Sequence, residues 1–450
     1  MVYVLIINTE NQTMTNFVKK DFDTYGEDRK FVARFNKGNK MEKFYLVGGA
    51  VRDMLMGVES QDHDYVVVGS TPEQMISNGF SQVGADFPVF LNESGDEYAL
   101  ARREKKTGTG YLGFESEFGV DVTLEDDLSR RDLTINSIAY DVGGYASYID
   151  PFNGQDDLEN KVLRHTSDAF QEDPVRVLRV ARFRARFGSE WTVAQETKEL
   201  IHYMAKKGVL DELNPERVWK EMSRALMEDY PRLFFDTLLE CDALQVVFPE
   251  IYRLKTALES RRWHPEGDAY EHTMLVLTQS AKFEFPLEIR YACLVHDLGK
   301  GITPRDQLPK HYGHDVKGVK VVQEFSNRLR VPAKIRDRAM KATRYHMYCH
   351  KLDQLNAKTF VKMFDDMRAL NDTHSVTVLY CVGMCDERGR LGSEDNQWDH
   401  LTKLTECFHA YQSVRFYDVL TEYETNGEKI RQQMFKARVG AIGDICKKWK

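Results

Sequence analysis

Asp62, His63 and Asp64 precede the run Tyr65-Val66-Val67-Val68. The two carboxylates stand at i and i+2 of a predicted strand and so point to one face. Carboxylates placed this way repel unless a cation lies between them. Hard oxygen ligands suit Mg2+, which commonly takes one or two carboxylates together with substrate phosphates. Two such ions can activate an attacking hydroxyl and stabilise a departing pyrophosphate. A bare D-x-D is common at strand starts. This one gains weight from its place one helix after Gly48-Gly49-Ala50-Val51-Arg52-Asp53. There two glycines let backbone approach an anion, and Arg52 can fork two hydrogen bonds to a phosphate. Glu97 opens the predicted strand EYALARRE and is either a third carboxylate of the site or an edge-strand glutamate. Arg102, Arg103, Lys105 and Lys106 run into Gly108 and Gly110, which predicts a basic, mobile loop over phosphate or RNA, or simply a solvated one.

A second constellation begins at Glu172-Asp173-Pro174-Val175-Arg176. Arg176, Arg179, Arg182 and Arg186 recur at helical spacing opposite Val177, Ala181 and Ala185, predicting a basic face and a packing face. A basic helix face is ordinarily a solvated surface. The acidic residue ahead of this one changes its meaning. Ionised Asp only accepts hydrogen bonds and Arg only donates, so Asp173 with Arg176 matches an amino group beside an unprotonated ring nitrogen. Cytosine and adenine both present that pattern. Guanine and uracil present the reverse and would leave buried polar groups unpaired, at about 1–3 kcal/mol each.

A third constellation is far downstream. His272 lies in YEHTMLVL and His296-Asp297 in CLVHDLGKG, followed by His311, His314 and His346. Nitrogen and oxygen ligands on neighbouring helices are an ordinary way to build a transition-metal site, although a lone His is usually structural.

The elements that must hold these groups follow from pattern and punctuation. The chain has 450 residues, 42% hydrophobic and 29% charged, enough for two to four packed units. No apolar run approaches the roughly 20 residues of a membrane-spanning helix. The opening MVYVLIIN lacks a basic flank and a cleavage site, so no export is expected. Seven cysteines without a C-x-x-C pair fit a reduced compartment, with neither disulfides nor structural zinc expected. A net charge of −8 confines any nucleic-acid site to a local stripe.

Residues 1–43 show no clear periodicity and read as an N-terminal extension of unknown role. From Phe44 strands alternate with short helices. Thr71-Pro72-Glu73-Gln74 carries a capping Thr, a proline at the first helical position and Gln three residues after the cap, predicting a helix start. From Glu172 the pattern is helical almost throughout, with Pro174, Pro215, Pro231, Pro286 and Pro332 at predicted helix starts. The front therefore reads as α/β or α+β, and the rest as mostly α.

Over about residues 44–400 the chain resembles the class II tRNA nucleotidyltransferases, the bacterial CCA-adding enzymes. The resemblance rests on YLVGGAVRD at 45–53, DHDYVVVGSTPEQM at 62–75, LEDDLSRRDLTINSIA at 124–139, DPFNGQDDL at 150–158 and EDPVRVLRVARF at 172–183. It implies a polymerase-β-like nucleotidyltransferase head with a mixed sheet at 44–165. A helical, base-recognising neck at 166–235, a helical body with an HD domain at 236–400 and a helical tail at 401–450 would follow. On it Asp62 and Asp64 bind Mg2+; Glu97 stays a catalytic candidate on its strand position alone. Gly49, Arg52, Arg131 and Asp132 line the nucleotide site, and Asp173, Arg176 and Arg179 bind the incoming CTP or ATP.

The segment around HDLGKG resembles HD-domain metal phosphohydrolases. His272, His296 and Asp297 would be ligands, Asp386 in CDERGRLG a fourth, and His314 would lie near the phosphate. The metal there would be Ni2+, Mg2+ or Mn2+. The activities implied are addition of C, C and A to a tRNA 3′ end from CTP and ATP, and an HD-domain phosphatase, 2′-nucleotidase and 2′,3′-cyclic phosphodiesterase. Rival readings are a poly(A) polymerase of the same superfamily and an RNA phosphohydrolase with a non-catalytic head. The expected setting is cytoplasmic, as a monomer or homodimer, with tRNA as partner and no membrane.

Overall fold

Strand β1 (Lys43–Val47) enters the structure, a computed structural model describing residues 42–60, 63–83, 89–106, 114–142, 147–397, 401–419 and 426–449. Residues 1–41 and Asp62 lie outside the described residues, while Lys43, placed in the extension by sequence, belongs to β1. The chain divides into two compact units, Met1–Asp173 and Pro174–Lys450.

In the first unit the strands are β1, β2 (Asp64–Val68), β3 (Ser81–Val83), β4 (Val89–Leu91), β5 (Glu97–Leu100), β6 (Arg102–Lys106), β7 (Phe114–Phe118), β8 (Ala139–Asp141) and β9 (Tyr148–Ile149). Seven of them form one sheet in the order β3-β4-β5-β2-β1-β8-β9. Only β2 and β5 pair parallel among the neighbours whose register is defined, so the sheet is mixed, as expected. Aromatic and β-branched residues fill β1 and β2, which suits strands covered on both faces. Leu46, Tyr65 and Tyr98 are register partners on one face, where the two tyrosine rings stack 4.6 Å apart in the core with Phe44, Val51 and Phe90. Tyr45, Val47 and Val66 occupy the other face with Val122 and Leu128.

Helix α1 (Gly49–Leu55) follows β1, and α2 (Pro72–Ser77) follows β2. Thr71 Oγ1 accepts from Gln74 N at 3.3 Å while Thr71 N donates to Gln74 Oε1 at 3.0 Å, the reciprocal cap that the sequence predicts. Helices α3 (Leu124–Ser129) and α4 (Gly154–Glu159) complete the unit. The predicted basic loop is corrected by β6 and β7, which pair as a ladder from Arg102↔Phe118 to Lys106↔Phe114. Arg103 is engaged by Asp121 at 2.5 Å and Glu117 at 3.7 Å. Arg103 and Lys105 stand opposite Glu117 and Glu115, so the basic run is paired across a ladder, which a count of charges hides. Gly108 and Gly110 lie outside the described residues.

The second unit is built on helices α5 (Val175–Phe187), α6 (Gln195–Lys206), α7 (Pro215–Met227), α8 (Arg232–Glu240), α9 (Ala269–Lys282), α10 (Leu287–Val295), α11 (His314–Arg328), α12 (Ala333–Cys349), α13 (Ala357–Asp366), α14 (His374–Arg388), α15 (Thr402–Ser413) and α16 (Gly427–Lys448). Pro174, Pro231, Pro286 and Pro332 occupy N-caps and Pro215 the first turn, so all five prolines stand at helix starts. Helices α12 to α16 share one apolar core, including Phe360, Phe364, Leu379, Leu404, Phe408 and Ile442. Among the described residues no helix is long and apolar enough to cross a membrane.

Candidate functional site

The end of β1 carries the first group. Val47, Asp64 and Glu97 form one register row across β1, β2 and β5, on the sheet face opposite the stacked tyrosines. Asp64 and Glu97 are therefore side by side, both exposed, and the Gly48-Gly49 turn starts one residue beyond the row. Gly48 has φ 73°, and a Cβ added to it would lie 2.8 Å from Nη1 of Arg131. Two demands, backbone conformation and a guanidinium overhead, both require glycine there.

Arg52 is 3% exposed and tied on two sides. Its Nε and Nη2 donate to Asp53 Oδ1 at 2.9 and 2.7 Å, and Nη1 donates to Asn136 Oδ1 at 2.6 Å. Asn136 Nδ2 in turn donates to Asp132 Oδ1 at 2.9 Å, which also accepts from Leu133 N. Arg131 is set by buried Asp127, whose Oδ2 receives Arg131 Nη2 at 3.2 Å while Oδ1 receives Arg130 Nη2 at 3.0 Å. Burial pushes the Asp127 carboxyl up, but the guanidiniums of Arg131 and Arg130 outweigh it and hold it below the usual carboxylate range.

The structure thus brings Gly49, Arg52, Arg131 and Asp132 together beside the Asp64–Glu97 row. Asn136 and Asp127, which sequence spacing left without a role, connect and position them. Asp62 lies outside the described residues.

In the second unit Arg176 and Arg179 occupy the first turns of α5, half-buried, with Arg179 over the Phe183 ring at 5.8 Å. Asp173 ends the first unit. The expected single basic face is corrected at Arg182, which is 8% exposed and donates from Nε to Glu221 Oε2 at 2.7 Å and from Nη1 to Glu228 at 3.4 Å. Helical spacing cannot separate a structural Arg from a ligand-facing one. The acidic partners lie on and just beyond α7, about 40 residues away.

The histidine–aspartate residues converge inside the second unit. His272 comes from α9, His296 caps α10, Asp297 follows it, His314 opens α11, His346 lies in α12 and Asp386 in α14. All are buried, His272 and His296 completely. Nδ1 of His296, His314 and His346 faces the carbonyl oxygens of Cys293, His311 and Thr343 at 2.7, 2.8 and 2.8 Å. Because a carbonyl only accepts, each Nδ1 carries the proton, and in the neutral rings each Nε2 is a bare lone pair.

Those bare nitrogens point at Asp297. His296 Nε2 is 3.2 Å from Oδ2, and His314 and His346 Nε2 are 3.3 and 3.4 Å from Oδ1. His296 Nε2 and Asp297 Oδ1 are buried with no hydrogen-bond partner. Imidazole nitrogens and a carboxylate gathered this closely in a buried space have the donor chemistry and spacing to hold a metal, beside the Lys300 ammonium that already faces Asp297.

His272 Nε2 lies 3.0 Å from Asp386 Oδ1 and 3.7 Å from Asp297 Oδ2, while its Nδ1 is 3.1 Å from Glu266. Burial lowers this imidazole's pKa, but the hydrogen bonds to Asp386 and Glu266 raise it to about 9. Two groups therefore have ligand geometry around one shared aspartate, His272-His296-Asp297 and Asp297-His314-His346. The second was not legible as a ligand set. Neither were Lys300, which bridges Asp297 at 2.7 Å and Glu259 at 2.5 Å, and Glu266. Gly299 was the available signal, because a Cβ there would stand 2.8 Å from the Gly318 Cα and prevent α11 from delivering His314.

Residues 44–164 match the family described as "Poly A polymerase head domain", 191–254 that described as "Probable RNA and SrmB- binding site of polymerase A", and 269–370 the HD domain. Among solved structures the chain is similar to a CCA-adding enzyme in its apo form II, at 16% identity and TM-score 0.63 over 93% of each chain. It is also similar to the Thermotoga maritima CCA-adding enzyme complexed with tRNA, at 15% identity and TM-score 0.61 over 96% of each. A third is a CCA-adding enzyme with CTP, at 16% identity and TM-score 0.61 over 94% of each. The mixed-sheet head is polymerase-β-like and the body helical, as in those structures. The chain thus carries segments matching a poly A polymerase head domain, an RNA-binding segment and an HD domain, in this order, on a fold similar to that of solved CCA-adding enzymes.

Proposed function

We propose that this chain adds C, C and A to the 3′ end of tRNA from CTP and ATP, without a nucleic-acid template. The observation that carries the reading is the row Val47–Asp64–Glu97, which sets two carboxylates beside a glycine turn overhung by Arg131. Hard carboxylate oxygens fit Mg2+, and Asp62 and Asp64 would hold it, with Glu97 adjoining. Bound there, two ions would activate the 3′ hydroxyl and stabilise the departing pyrophosphate. Arg52, fixed by Asp53 and Asn136, and Arg131, fixed by Asp127, neutralise triphosphate charge without having to reorganise. Asp173, Arg176 and Arg179 read the amino group and ring nitrogen shared by cytosine and adenine. The solved relatives with CTP and with tRNA support this choice of substrates. The organisation proposed is a head at 44–165, a base-reading neck at 166–235, an HD body at 236–400 and a tail at 401–450, after an extension whose role is open.

The second activity is hydrolysis of phosphate esters at the HD centre, as phosphatase, 2′-nucleotidase and 2′,3′-cyclic phosphodiesterase. The proton-free nitrogens facing Asp297 favour it. His272, His296, Asp297 and Asp386 would hold a divalent ion, which when bound would polarise a phosphoryl group and acidify its water. His314 and His346 face the other oxygen of Asp297, and His314 would lie near the phosphate.

The deciding experiment supplies labelled CTP, ATP, GTP and UTP singly, then CTP with ATP, to a tRNA transcript lacking its last three nucleotides. Addition of two C and one A, with G and U refused, is expected. Unlimited A addition would replace this reading with a poly(A) polymerase. No addition by folded protein with Mg2+ would leave the HD centre as the main activity.

A further inference from the structure

Between Glu259 and Asp268 the chain makes a loop pinched at its base, where Glu259 N donates to Gly267 O at 3.0 Å and Leu258 and Asp268 bridge as antiparallel partners. Gly267, at φ 97°, turns the chain into the Asp268 cap of α9, and His272 follows one turn on. The Glu259, His264 and Glu266 side chains of this loop are only 5%, 13% and 2% exposed, and charged groups are seldom so buried unless paired. Oε1 of Glu266 lies 3.1 Å from Nδ1 of His272 and 2.8 Å from Nδ1 of His264. A carboxylate only accepts, so both Nδ1 atoms carry protons. In the neutral His272 ring Nε2 is then the lone pair, and it faces Asp386 and Asp297. His296, His314 and His346 reach the same tautomer through backbone carbonyls. Of these four rings, His272 is the one set by an anionic side chain.

The same loop reaches Asp297 from its other end. His264 Nε2 is 3.4 Å from Glu259 Oε2, Glu259 Oε1 receives Lys300 Nζ at 2.5 Å, and Lys300 Nζ is 2.7 Å from Asp297 Oδ2. A chain of paired groups thus runs from His272 through Glu266, His264, Glu259 and Lys300 to Asp297. Its ends converge, with His272 Nε2 3.7 Å from Asp297 Oδ2. We propose that Glu266 is a positioning residue of the HD centre, locking His272 in the tautomer whose Nε2 can ligate, and that the loop holds this imidazole and Asp297 as a preformed pair. The proposal rests on the reading that the centre takes a divalent ion, and it assigns the side chains that set the affinity. A carboxylate behind a ligating imidazole fixes the ring and raises its basicity, and loss of such a partner costs about 10- to 100-fold in metal affinity. Glu271, one residue from His272, is instead paired with Arg232 at 2.8 Å and supplies the control.

The test titrates Ni2+ by calorimetry into the full chain, freed of metal with EDTA and desalted, and counts only the binding that D297N removes. E266Q keeps an acceptor toward both histidines and loses the charge, so its Kd should rise about 10- to 100-fold over wild type. E266D should recover part of that loss, and E271Q should match wild type. Hydrolysis of p-nitrophenyl phosphate by E266Q should fall at low Ni2+ and return as Ni2+ is raised to saturation, a rescue that a misfolded centre would not show. A wild-type Kd in E266Q, or an equal loss in E271Q, would overturn the positioning role while leaving the metal reading intact. No D297N-sensitive binding by the wild type would remove the metal reading, and the proposal with it. If circular dichroism shows E266Q unfolded, H264A serves in its place. It keeps Glu266 but cuts the tie to Glu259, so Kd should rise there too, and an unchanged Kd would overturn the proposal.

Discussion

Nη1 of Arg131 lies 2.8 Å from the point where a side chain on Gly48 would begin. Gly48 also adopts φ 73° with ψ −131°, a region that other residues avoid at a cost of about 1–3 kcal/mol. Gly48→Ala is therefore expected to lower the melting temperature and to displace Arg131, raising KM for CTP and ATP at least about tenfold. Gly57, at φ 69° with nothing within 4 Å of its added Cβ, separates the two effects. Gly57→Ala should destabilise by about 1 kcal/mol and leave KM unchanged. Equal effects of the two substitutions on KM would remove the cradle from the argument.

The register row makes a second prediction. Asp62→Ala and Asp64→Ala should abolish nucleotide addition while HD hydrolysis persists, because the head row and the HD centre draw on different residues. Glu97→Gln should reduce addition by about 10- to 1,000-fold, since Glu97 adjoins Asp64 and adds negative charge at the same spot. Loss of both activities in a folded Asp64 variant would contradict separate sites.

Much of this was legible before any coordinates. The strand–Gly-Gly–helix order, the capping box at Thr71 and the five helix-starting prolines are local signals, each decided within a few residues. Glu97 was legible only as one of two alternatives, a third carboxylate or an edge-strand glutamate, because parallel pairing of β2 with β5 depends on a connection that includes β3 and β4. Asp127 and Asn136 were invisible for a related reason. Their partners are other site residues, and a buried carboxylate between two arginines looks in sequence like an ordinary helix surface. At the HD centre the motif marks His296-Asp297, whereas the ligand geometry of His314 and His346 exists only once α11 and α12 pack.

Asp127 gives a pH prediction. Its folded carboxyl is held below the usual range, so it binds its proton less readily folded than unfolded. The stability it contributes is present above the unfolded pKa of about 4 and is lost as pH falls through the folded value. Wild type should therefore lose stability more steeply on acidification below about pH 4 than Asp127→Asn does. At neutral pH the variant should be about 1–3 kcal/mol less stable, because Arg130 and Arg131 remain partly exposed and are only partly stranded. Denaturant melts at pH 7 and at steps below pH 4 measure both terms. Parallel pH profiles would show that the carboxylate is not the coupled group.

The HD centre predicts that metal binding and folding are linked. A cation among His272, His296, Asp297 and Asp386 would stabilise the native state by about 2.7 kcal/mol at a concentration of 100 times Kd. Addition of Ni2+ or Mn2+ should raise the melting temperature of EDTA-treated protein. Asp297→Asn, which weakens the oxygen donor shared by both groups, should remove most of that rise, and His346→Ala only part of it. An undiminished rise in Asp297→Asn would place the bound metal elsewhere.

Arg179 and Arg182 stand three residues apart on α5 but are expected to fail in different ways. Arg182 is buried and paired with Glu221 and Glu228, so Arg182→Ala leaves Glu221 without its buried partner at a cost of about 3 kcal/mol. The loss should appear as a lower melting temperature with any activity change secondary. Arg179, half-buried with its guanidinium 5.8 Å from the Phe183 ring centre, is the residue assigned to the incoming base. Arg179→Ala should cost little stability, raise KM for CTP and ATP about tenfold and relax the refusal of UTP and GTP, because a lost donor removes the mismatch that rejects them. Measuring melting temperature and the CTP-to-UTP incorporation ratio for both variants distinguishes the roles. If Arg182→Ala alone altered base choice, the basic face as first read from helical spacing would be restored, and the ion pair would be incidental to its position.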